Sequence, residues 1–337
     1  MRAITALLLA VGLVAISFSA IFIAWSTAPA GVIGMYRLWM AAVLLVPAVW
    51  RERPPAQSVR RMSGWLAASG VLLGLHFLFW IESLKLTSVA SSLIILALEP
   101  VFVWMGEWLW RRAPAAWVDL ASMAVAIAGA ALAAAASAGV TRTGALGDLM
   151  SLLGTLAVSG YVLVGARARM EIPAWTYNAS AFVVGGAVLA LANACLGAPF
   201  WGYSAHNWLL FAALAVVSTI LGHGIFNALL HRVPPTAIAM TVVGEPVVGS
   251  ILAALLLHQP ISPLEGLGGA ICLTGVGAYL WRSARQGEDE TNPPGQEAEA
   301  ADGRDGPEHL DARHAEGVQA AREQHNPQGE QPPRRGQ

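Results

Sequence analysis

The feature that most constrains this chain is a series of apolar runs, each about 20 residues long, that recurs from the N-terminus to about residue 282. An α-helix rises about 1.5 Å per residue, so each run is long enough to cross a hydrocarbon core of about 30 Å. Composition agrees, because 56% of the residues are hydrophobic and only 12% are charged. Soluble globular domains are about a quarter charged. The chain is therefore predicted to be an all-α integral membrane protein.

Hydropathy and turn residues together predict ten transmembrane helices. Prolines fall in or beside most of the connections, where a missing backbone N–H is tolerated. The connections are short, so helices that are adjacent in sequence are expected to be neighbours. The predicted helices cover residues 3–24, 31–50, 63–84, 87–110, 114–137, 145–167, 175–196, 207–230, 236–257 and 262–282.

Two segments 146 residues apart carry the same polar groups within apolar helices. The first has His76 followed by Glu99-Pro100, and the second has His223 followed by Glu245-Pro246. Further matches include Gly129 with Gly275 and, more loosely, Gly12 and Ser17 with Gly154 and Ser159. Such a duplication is typical of transporters built from two homologous halves.

Five helices in each half imply that the second half enters the membrane from the opposite side. The halves are therefore predicted to be inverted repeats related by a pseudo-two-fold axis in the membrane plane, with the substrate site between them. The predicted organisation is a first repeat over 1–138, a second over 139–283 and a disordered cytoplasmic tail over 284–337. The tail is rich in Gly, Pro, Gln, Glu and Arg and has too few large apolar residues to fold.

The distribution of basic residues predicts the orientation. With a cytoplasmic N-terminus, twelve arginines flank the inner ends of the helices, and only Lys85 and Arg142 lie on the outer side. Such a bias follows the positive-inside rule. Both termini are therefore expected to be cytoplasmic.

The two glutamates are the leading functional candidates, because a charge at mid-membrane costs about 2.5–3.5 kcal/mol. Each precedes a proline, and Pro100 and Pro246 are expected to kink their helices and free backbone carbonyls beside a carboxyl group. That arrangement suits a cation, an amine or a proton. The alternative is a kink required by packing, with each glutamate hydrogen-bonded to a neighbouring helix.

The histidines and their neighbours form the second group of candidates. Trp80 follows His76 at i+4, and Asn227 follows His223 at the same spacing, so each pair shares a helix face. Imidazole titrates near neutral pH and can relay protons or bind substrate. Hydrogen bonding between helices explains these residues equally well.

Arg37 lies within the second predicted helix, where it could neutralise Glu99 or attract an anionic substrate. Snorkelling to the headgroups is the alternative. Most of the 13 tryptophans mark helix ends and are interpreted as interfacial anchors, whereas Trp80 is internal. The Ala- and Gly-rich fifth and tenth helices are expected to pack closely.

Cysteine and histidine spacing gives no support for a metal site, a disulfide framework or a cofactor. Cys195 and Cys272 lie far apart in apolar segments. No nucleophile–base or HExxH pattern occurs in the helices, so a catalytic site is not expected. Nor is a nucleic-acid partner expected; the expected partners are a small-molecule substrate, the lipid bilayer and protons.

These residues resemble the EamA-type permeases of the drug/metabolite transporter superfamily. The stretch from His76 through Trp80 and Ser83 to Thr87 is similar to that family's third-to-fourth helix region. Leu221-Gly-His223-Gly-Ile-Phe-Asn227, with Val243-Gly-Glu245-Pro246, is similar to its second-half counterpart. The resemblance covers about residues 5–282. It implies a bacterial inner-membrane secondary transporter, often an exporter of amino acids or other small metabolites.

One segment departs from the family pattern. Many relatives end the ninth helix with Leu-Leu-Gly-Glu, whereas this chain has Leu256-Leu257-His258-Gln259. Any role of that terminal acid in relatives therefore does not carry over.

The leading hypothesis is an exporter of a small metabolite that works by alternating access and is coupled to protons. Substrate would lie near His76, Trp80, Glu99, His223, Asn227 and Glu245. Facilitated diffusion through the same cavity, with structural glutamates, is the second hypothesis. A non-transporting scaffold or sensor acting through the tail is the third.

Overall fold

The computed structural model describes residues 3–87, 89–111, 116–137, 144–258 and 261–291. Every element of regular secondary structure in these ranges is helical. The helices are α1 (Ala3–Trp25), α2 (Ala30–Glu52), α3 (Ala56–Leu86), α4 (Val89–Leu96), α5 (Glu99–Arg111), α6 (Trp117–Ser137), α7 (Ala145–Ala168), α8 (Ala174–Cys195), α9 (Ala205–Ala213), a π-helical segment π1 (Leu214–Gly224), α10 (Ile225–Leu229), α11 (Pro235–Val242), α12 (Glu245–Leu257) and α13 (Pro263–Thr291).

Ten helical stretches in the described ranges are long and apolar enough to cross a membrane, which confirms the predicted fold class. The main differences in boundaries lie at polar ends. Helix α3 begins at Ala56, where the sequence predicts residue 63, and α13 continues to Thr291, past residue 282. Hydropathy marks where a helix leaves the hydrocarbon, and the backbone hydrogen bonds of a helix continue beyond that point.

Two of the ten spans are interrupted at the Glu-Pro pairs. Helix α4 ends at Leu96 and α5 begins at Glu99, and α11 ends at Val242 before α12 begins at Glu245. Proline has no N–H to donate to the carbonyl four residues earlier. The backbone compensates with shorter-range bonds, including Leu98 N–H to the Ile95 carbonyl at 3.1 Å and Gly244 N–H to the Thr241 carbonyl at 3.0 Å.

Reciprocal contacts between α6 and α13 show the pseudo-two-fold relation of the halves. A Cβ on Gly129 would overlap the backbone nitrogen of Cys272, and a Cβ on Gly275 would overlap that of Ala126. Position 126 corresponds to 272, and 129 corresponds to 275, at the same spacing of 146 residues. The contact of Gly129 with Cys272 is thus repeated, with the halves exchanged, by the contact of Gly275 with Ala126, as inverted repeats require.

The most extensive packing joins the two halves. Helix α3 packs against α7 and α8, α2 packs against α8, and α1 packs against π1. Residues Met1–Gln286 form one compact unit. Of a second unit, Gly287–Gln337, the described ranges include only the end of α13. The tail predicted to be disordered begins at residue 284; its residues 284–291 instead continue α13, and residues 292–337 lie outside the described residues.

Candidate functional site

A buried cavity lies between the two halves, and corresponding spans of each half form its walls. Helices α1, α3, α4 and α5 contribute from the first half, and α7, π1, α10, α11 and α12 contribute from the second. Six of the seven predicted site residues line it: His76, Trp80, Glu99, His223, Asn227 and Glu245. Arg37, the seventh, lies behind two lining residues, Ser19 and Phe77.

The two glutamates occupy equivalent places in the cavity wall. Each is the first residue of the half-helix that follows a break, α5 for Glu99 and α12 for Glu245. The positive end of a helix dipole lies there and favours a negative charge. No hydrogen bond or ion pair to either carboxyl group is found among the described residues. The carboxyl oxygens are therefore left to face the cavity.

A row of hydroxyl groups on α7 follows the interrupted span α4–α5. Ser151 donates to the Ser92 carbonyl at 2.9 Å, and Ser159 lies 3.4 Å from the Glu99 carbonyl. Thr155, between them, lies 3.5 Å from the Ile95 carbonyl. Serine and threonine on a neighbouring helix are a known means of stabilising carbonyls near a break inside a membrane. Of the three hydroxyl groups, Ser151 donates to this span, whereas Thr155 and Ser159 donate their single hydrogen to α7 carbonyls at 2.8 Å and only lie near the carbonyls of Ile95 and Glu99.

A serine of the first half lies near the second break in a matching way. Ser17 on α1 donates to the Leu13 carbonyl at 2.7 Å and lies 3.4 Å from the Glu245 carbonyl, as Ser159 does from that of Glu99. Cys272 on α13 adds a thiol contact to the Val243 carbonyl at 3.4 Å. The loose sequence match of Ser17 with Ser159 therefore corresponds to a reciprocal contact in the fold.

His76 is buried and held in one orientation. Its Nδ1 lies 3.0 Å from the Gly154 carbonyl. A carbonyl only accepts, so Nδ1 carries the hydrogen and Nε2 of the neutral ring is an acceptor. The ring lies nearly parallel to that of Trp80, with the centroids 6.0 Å apart. Trp80 itself contributes an indole N–H that is buried and has no acceptor among the described residues.

His223 lies in the π-helical segment π1 and contacts Phe77 edge-on, with the ring centroids 5.7 Å apart. A π-helical turn holds one extra residue and is often found at functional sites. The spacing of 146 residues that relates Glu99 to Glu245 pairs His223 with Phe77, one residue away from His76, and pairs Trp80 with Phe226. Contacts support that pairing, since Gly154 is packed against Trp80 and Gly12 against Phe226.

Asn227 is buried and joins three helices. Its side-chain nitrogen donates to the Tyr161 hydroxyl at 2.5 Å and to the Asn178 side-chain oxygen at 2.6 Å. Arg169 donates to the Asn227 backbone carbonyl at 3.0 Å. These bonds favour the packing interpretation for the Asn227 amide nitrogen, although the side chain still lines the cavity.

Arg37 does not snorkel to the headgroups, so that alternative is wrong. The side chain is 1% exposed. It donates to the Ser19 hydroxyl at 2.8 Å and the Thr219 hydroxyl at 3.0 Å, and its guanidinium lies 4.7 Å from the Phe77 ring centroid. One nitrogen, Nη2, is buried without an acceptor among the described residues. Arg37 therefore provides a fixed positive charge and an unused donor beside the cavity.

The cavity is small and opens towards one end of the protein. Its volume of about 50 Å³ leaves room for roughly four waters, at 10–15 Å³ each. A second cavity of about 340 Å³, the vestibule, lies beside it and is lined by Glu107, Arg167, Arg232 and other residues. Leu230 lines both cavities and separates them. A metabolite larger than a few waters would have to widen the inner cavity.

Contacts close the opposite end. Thr87 donates to the Asp148 carboxylate at 2.7 Å, and Asn207 accepts from Ser26 at 2.8 Å. Asp148 and Arg167 lie at the two ends of α7, roughly 28 Å apart at 1.5 Å per residue. The site is thus nearer to solvent on the side of the predicted cytoplasmic arginines.

Several cavity residues were not predicted from the sequence, among them Ser19, Tyr161 and Phe226. The polar face of α7 could have been recognised, because Ser151, Thr155 and Ser159 recur every four residues along it. Glu107, which lines the vestibule, accepts from Thr236 N–H at 3.1 Å, at the start of α11. The segment after α12 that lacks the glutamate of many relatives is described only to His258, which has a φ of 55°.

Comparisons with known proteins agree with this architecture. A sequence model of the EamA-like transporter family matches residues 1–135 and 145–281. A relative from Escherichia coli (strain K12), described as a probable amino-acid metabolite efflux pump, is 40% identical over 75 residues, which are 21% of this chain. The match spans 25% of that relative's length. One solved crystal structure of a protein has the same fold, with a TM-score of 0.72 at 16% identity, over 84% of this chain and all of that chain.

Proposed function

We propose that this chain, which belongs to the EamA-like transporter family, is a membrane transporter that exports a zwitterionic substrate of the amino-acid class in exchange for protons. The observation that carries the proposal is the pair Glu99 and Glu245, which face one cavity from opposite halves and have no hydrogen-bonded partner among the described residues.

The carboxyl groups suit an ammonium group or a proton. An ionised carboxylate inside a membrane is costly unless a partner compensates it. Glu99 and Glu245 lack such a hydrogen-bonded partner among the described residues, so a bound ammonium group would supply it. The neutral Nε2 of His76 is a further acceptor for an ammonium N–H.

The unused donors beside the cavity suit a carboxylate. Nη2 of Arg37 and the indole N–H of Trp80 are both buried without an acceptor among the described residues, and such a group costs about 1–3 kcal/mol. A substrate carboxylate that reached them as the cavity widened would remove that cost. The printed name of the Escherichia coli relative, an amino-acid metabolite efflux pump, agrees with this substrate class.

Competition between proton and substrate would produce the exchange. If the glutamates bind either protons or an ammonium group, each ligand displaces the other. Alternating access then requires the two ligands to favour different states. The paired breaks at Glu99 and Glu245 are the hinges at which inverted repeats would rock around the fixed site.

The proposed direction takes the vestibule as the entrance. The vestibule lies beside Arg167 and Arg232, on the side that the positive-inside rule assigns to the cytoplasm. The ion pairs among the described residues lie at helix ends predicted to share that side, such as Arg61 with Glu171 at 2.5 Å. Substrate would enter through the vestibule, pass Leu230 and leave where Thr87 and Asp148 now close the path. Both termini would then be cytoplasmic.

Counterflow in proteoliposomes tests the substrate class. Purified protein would be reconstituted with a lumenal pool of one candidate, and uptake of the labelled compound would be followed for amino acids, purines and cationic drugs. We expect counterflow for amino acids and little for purines. Counterflow confined to cationic drugs, which lack a carboxylate, would contradict the proposed role of Arg37 and Trp80.

A further inference from the structure

We propose that a groove on the lipid-facing surface, formed by α2, α3 and α8, binds an anionic phospholipid. The groove has a volume of about 750 Å³ and is lined along α2 by Trp39, Val43, Val46 and Trp50. This inference does not depend on the substrate or the coupling of the transporter.

The walls of the groove suit an acyl chain. The groove is concave because small side chains such as Ala67 on α3 and Ala179 on α8 line it between the larger ones of α2. The indole N–H of Trp39 donates to the Val183 carbonyl at 3.3 Å, so the ring presents its apolar face. Val43 and Trp50 are 68% and 75% exposed, which in a membrane means exposed to lipid.

The length of the groove matches one leaflet. From Trp39 to Trp50 the helix advances roughly 16 Å, at 1.5 Å per residue. Half of a hydrocarbon core of about 30 Å is about 15 Å. A chain lying in the groove would therefore begin near the bilayer midplane and end at the headgroup level beside Trp50.

The headgroup end of the groove is positively charged. Trp50 also lines an adjoining recess of about 470 Å³, together with Pro47, Arg51 and Arg53. Neither guanidinium has an ion pair or hydrogen bond with another described residue. The two arginines are thus available to a phosphate group that lies at the end of the groove.

Glu52, between the two arginines, does not cancel their charge at the recess. Its carboxylate accepts from Trp175 N–H at 2.9 Å, Thr176 N–H at 2.8 Å and the Thr176 hydroxyl at 2.8 Å. These bonds hold the acid at the start of α8. Arginines immediately cytoplasmic of a transmembrane helix attract anionic headgroups, and the combination here selects an anionic over a zwitterionic lipid.

Native mass spectrometry of the full chain in detergent tests the proposal, with phosphatidylglycerol and phosphatidylethanolamine added in equal amounts. We expect wild type to retain phosphatidylglycerol preferentially. Replacing Arg51 and Arg53 with Gln should weaken that retention roughly 30-fold, at about 1 kcal/mol per arginine. A control pair, Arg232→Gln with Arg285→Gln, removes equal charge elsewhere and should leave retention unchanged.

A second variant tests the groove separately from its charges. Ala67→Trp fills the groove, whereas Ala68→Trp places the same side chain on an exposed position of α3 that does not line it. We expect the first to reduce phosphatidylglycerol retention and the second to preserve it. Equal retention of both lipids by wild type, or unchanged retention in the Arg51→Gln/Arg53→Gln protein, would overturn the proposal.

Discussion

Glu99 and Glu245 lie 146 residues apart, and each begins the second half of a broken helix in the wall of the same cavity. Their backbone carbonyls have matching neighbours, Ser159 for Glu99 and Ser17 for Glu245, both at 3.4 Å. Duplication has therefore placed two acidic groups at one site from opposite sides of the membrane. The proposed exchange of substrate for protons depends on this pair of glutamates.

Arg37 is expected to distinguish substrates that carry a carboxylate. In wild type, an amino acid should inhibit counterflow more strongly than its amide, because the amide lacks the negative charge. Arg37→Gln should lose that difference, by about tenfold or more if one charge-assisted bond of 1.5–3 kcal/mol is removed. Inhibition constants for acid and amide would be measured in proteoliposomes.

Two further variants make the Arg37 experiment interpretable. Arg37→Lys keeps the charge but loses the planar fork that reaches both Ser19 and Thr219, so an intermediate loss is expected. Arg60→Gln, at an exposed position on α3, is the control and should behave as wild type. An unchanged preference for the acid in well-folded Arg37→Gln protein would show that another residue binds the carboxylate.

The α6–α13 contact is expected to limit stability symmetrically. Gly129→Ala and Gly275→Ala should each lower the melting temperature, because each new methyl group meets backbone atoms of the other helix. Overpacking of this kind costs about 1–3 kcal/mol. Gly277→Ala, on the same helix with nothing within 4 Å of the added group, is the control. Equal melting temperatures for all three proteins would show that α6 and α13 do not pack in this way.

His258, at the end of α12, is expected to lower the melting temperature of the protein. Its φ of 55° lies in the left-handed region, where a non-glycine residue costs about 1–2 kcal/mol. His258→Gly should therefore raise the melting temperature, and His258→Ala should not, since alanine meets the same restriction. Thermal unfolding in detergent would be compared for the three proteins. A stabilising alanine would instead point to the imidazole side chain as the cause.

The contact between Thr87 and Asp148 is expected to close the proposed exit. Cysteines at these positions, in a Cys195→Ser background, should form a disulfide under oxidation and stop counterflow, and reduction should restore it. The vestibule would stay accessible, so a soluble thiol reagent should still label a cysteine placed at Arg232. Continued transport by the fully oxidised protein would mean that substrate does not pass between α3 and α7.

The transmembrane architecture was largely predictable from sequence because lipid imposes simple constraints. Apolar length gave the ten spans, and proline chemistry pointed to the positions where α4 and α11 end. The ends of α3 and α13 were not predictable, since polar residues such as Arg60 and Arg61 continue a helix beyond the hydrocarbon without a hydropathy signal.

The candidate site was only partly predictable. Ionisable residues in apolar helices indicated His76 and the glutamates, because each is costly in lipid, and Trp80 was indicated because it is internal and shares a helix face with His76. The partners of Arg37 were not predictable, since Ser19 and Thr219 come from distant parts of the chain. The π-helical segment that holds His223 also leaves no clear pattern in the sequence.

The most direct test of the account is the change in lumenal pH that a substrate gradient drives in proteoliposomes loaded with a pH-sensitive dye. Wild type should acidify or alkalinise the lumen according to the direction of the gradient, as exchange of substrate for protons requires. Glu99→Gln and Glu245→Gln should abolish that change, whereas Glu171→Gln, which alters two ion pairs outside the cavity, with Arg61 and Arg167, should retain it. Substrate uptake by wild type with an unchanged lumenal pH would contradict proton exchange, and normal pH changes in both cavity variants would contradict the role of the glutamate pair.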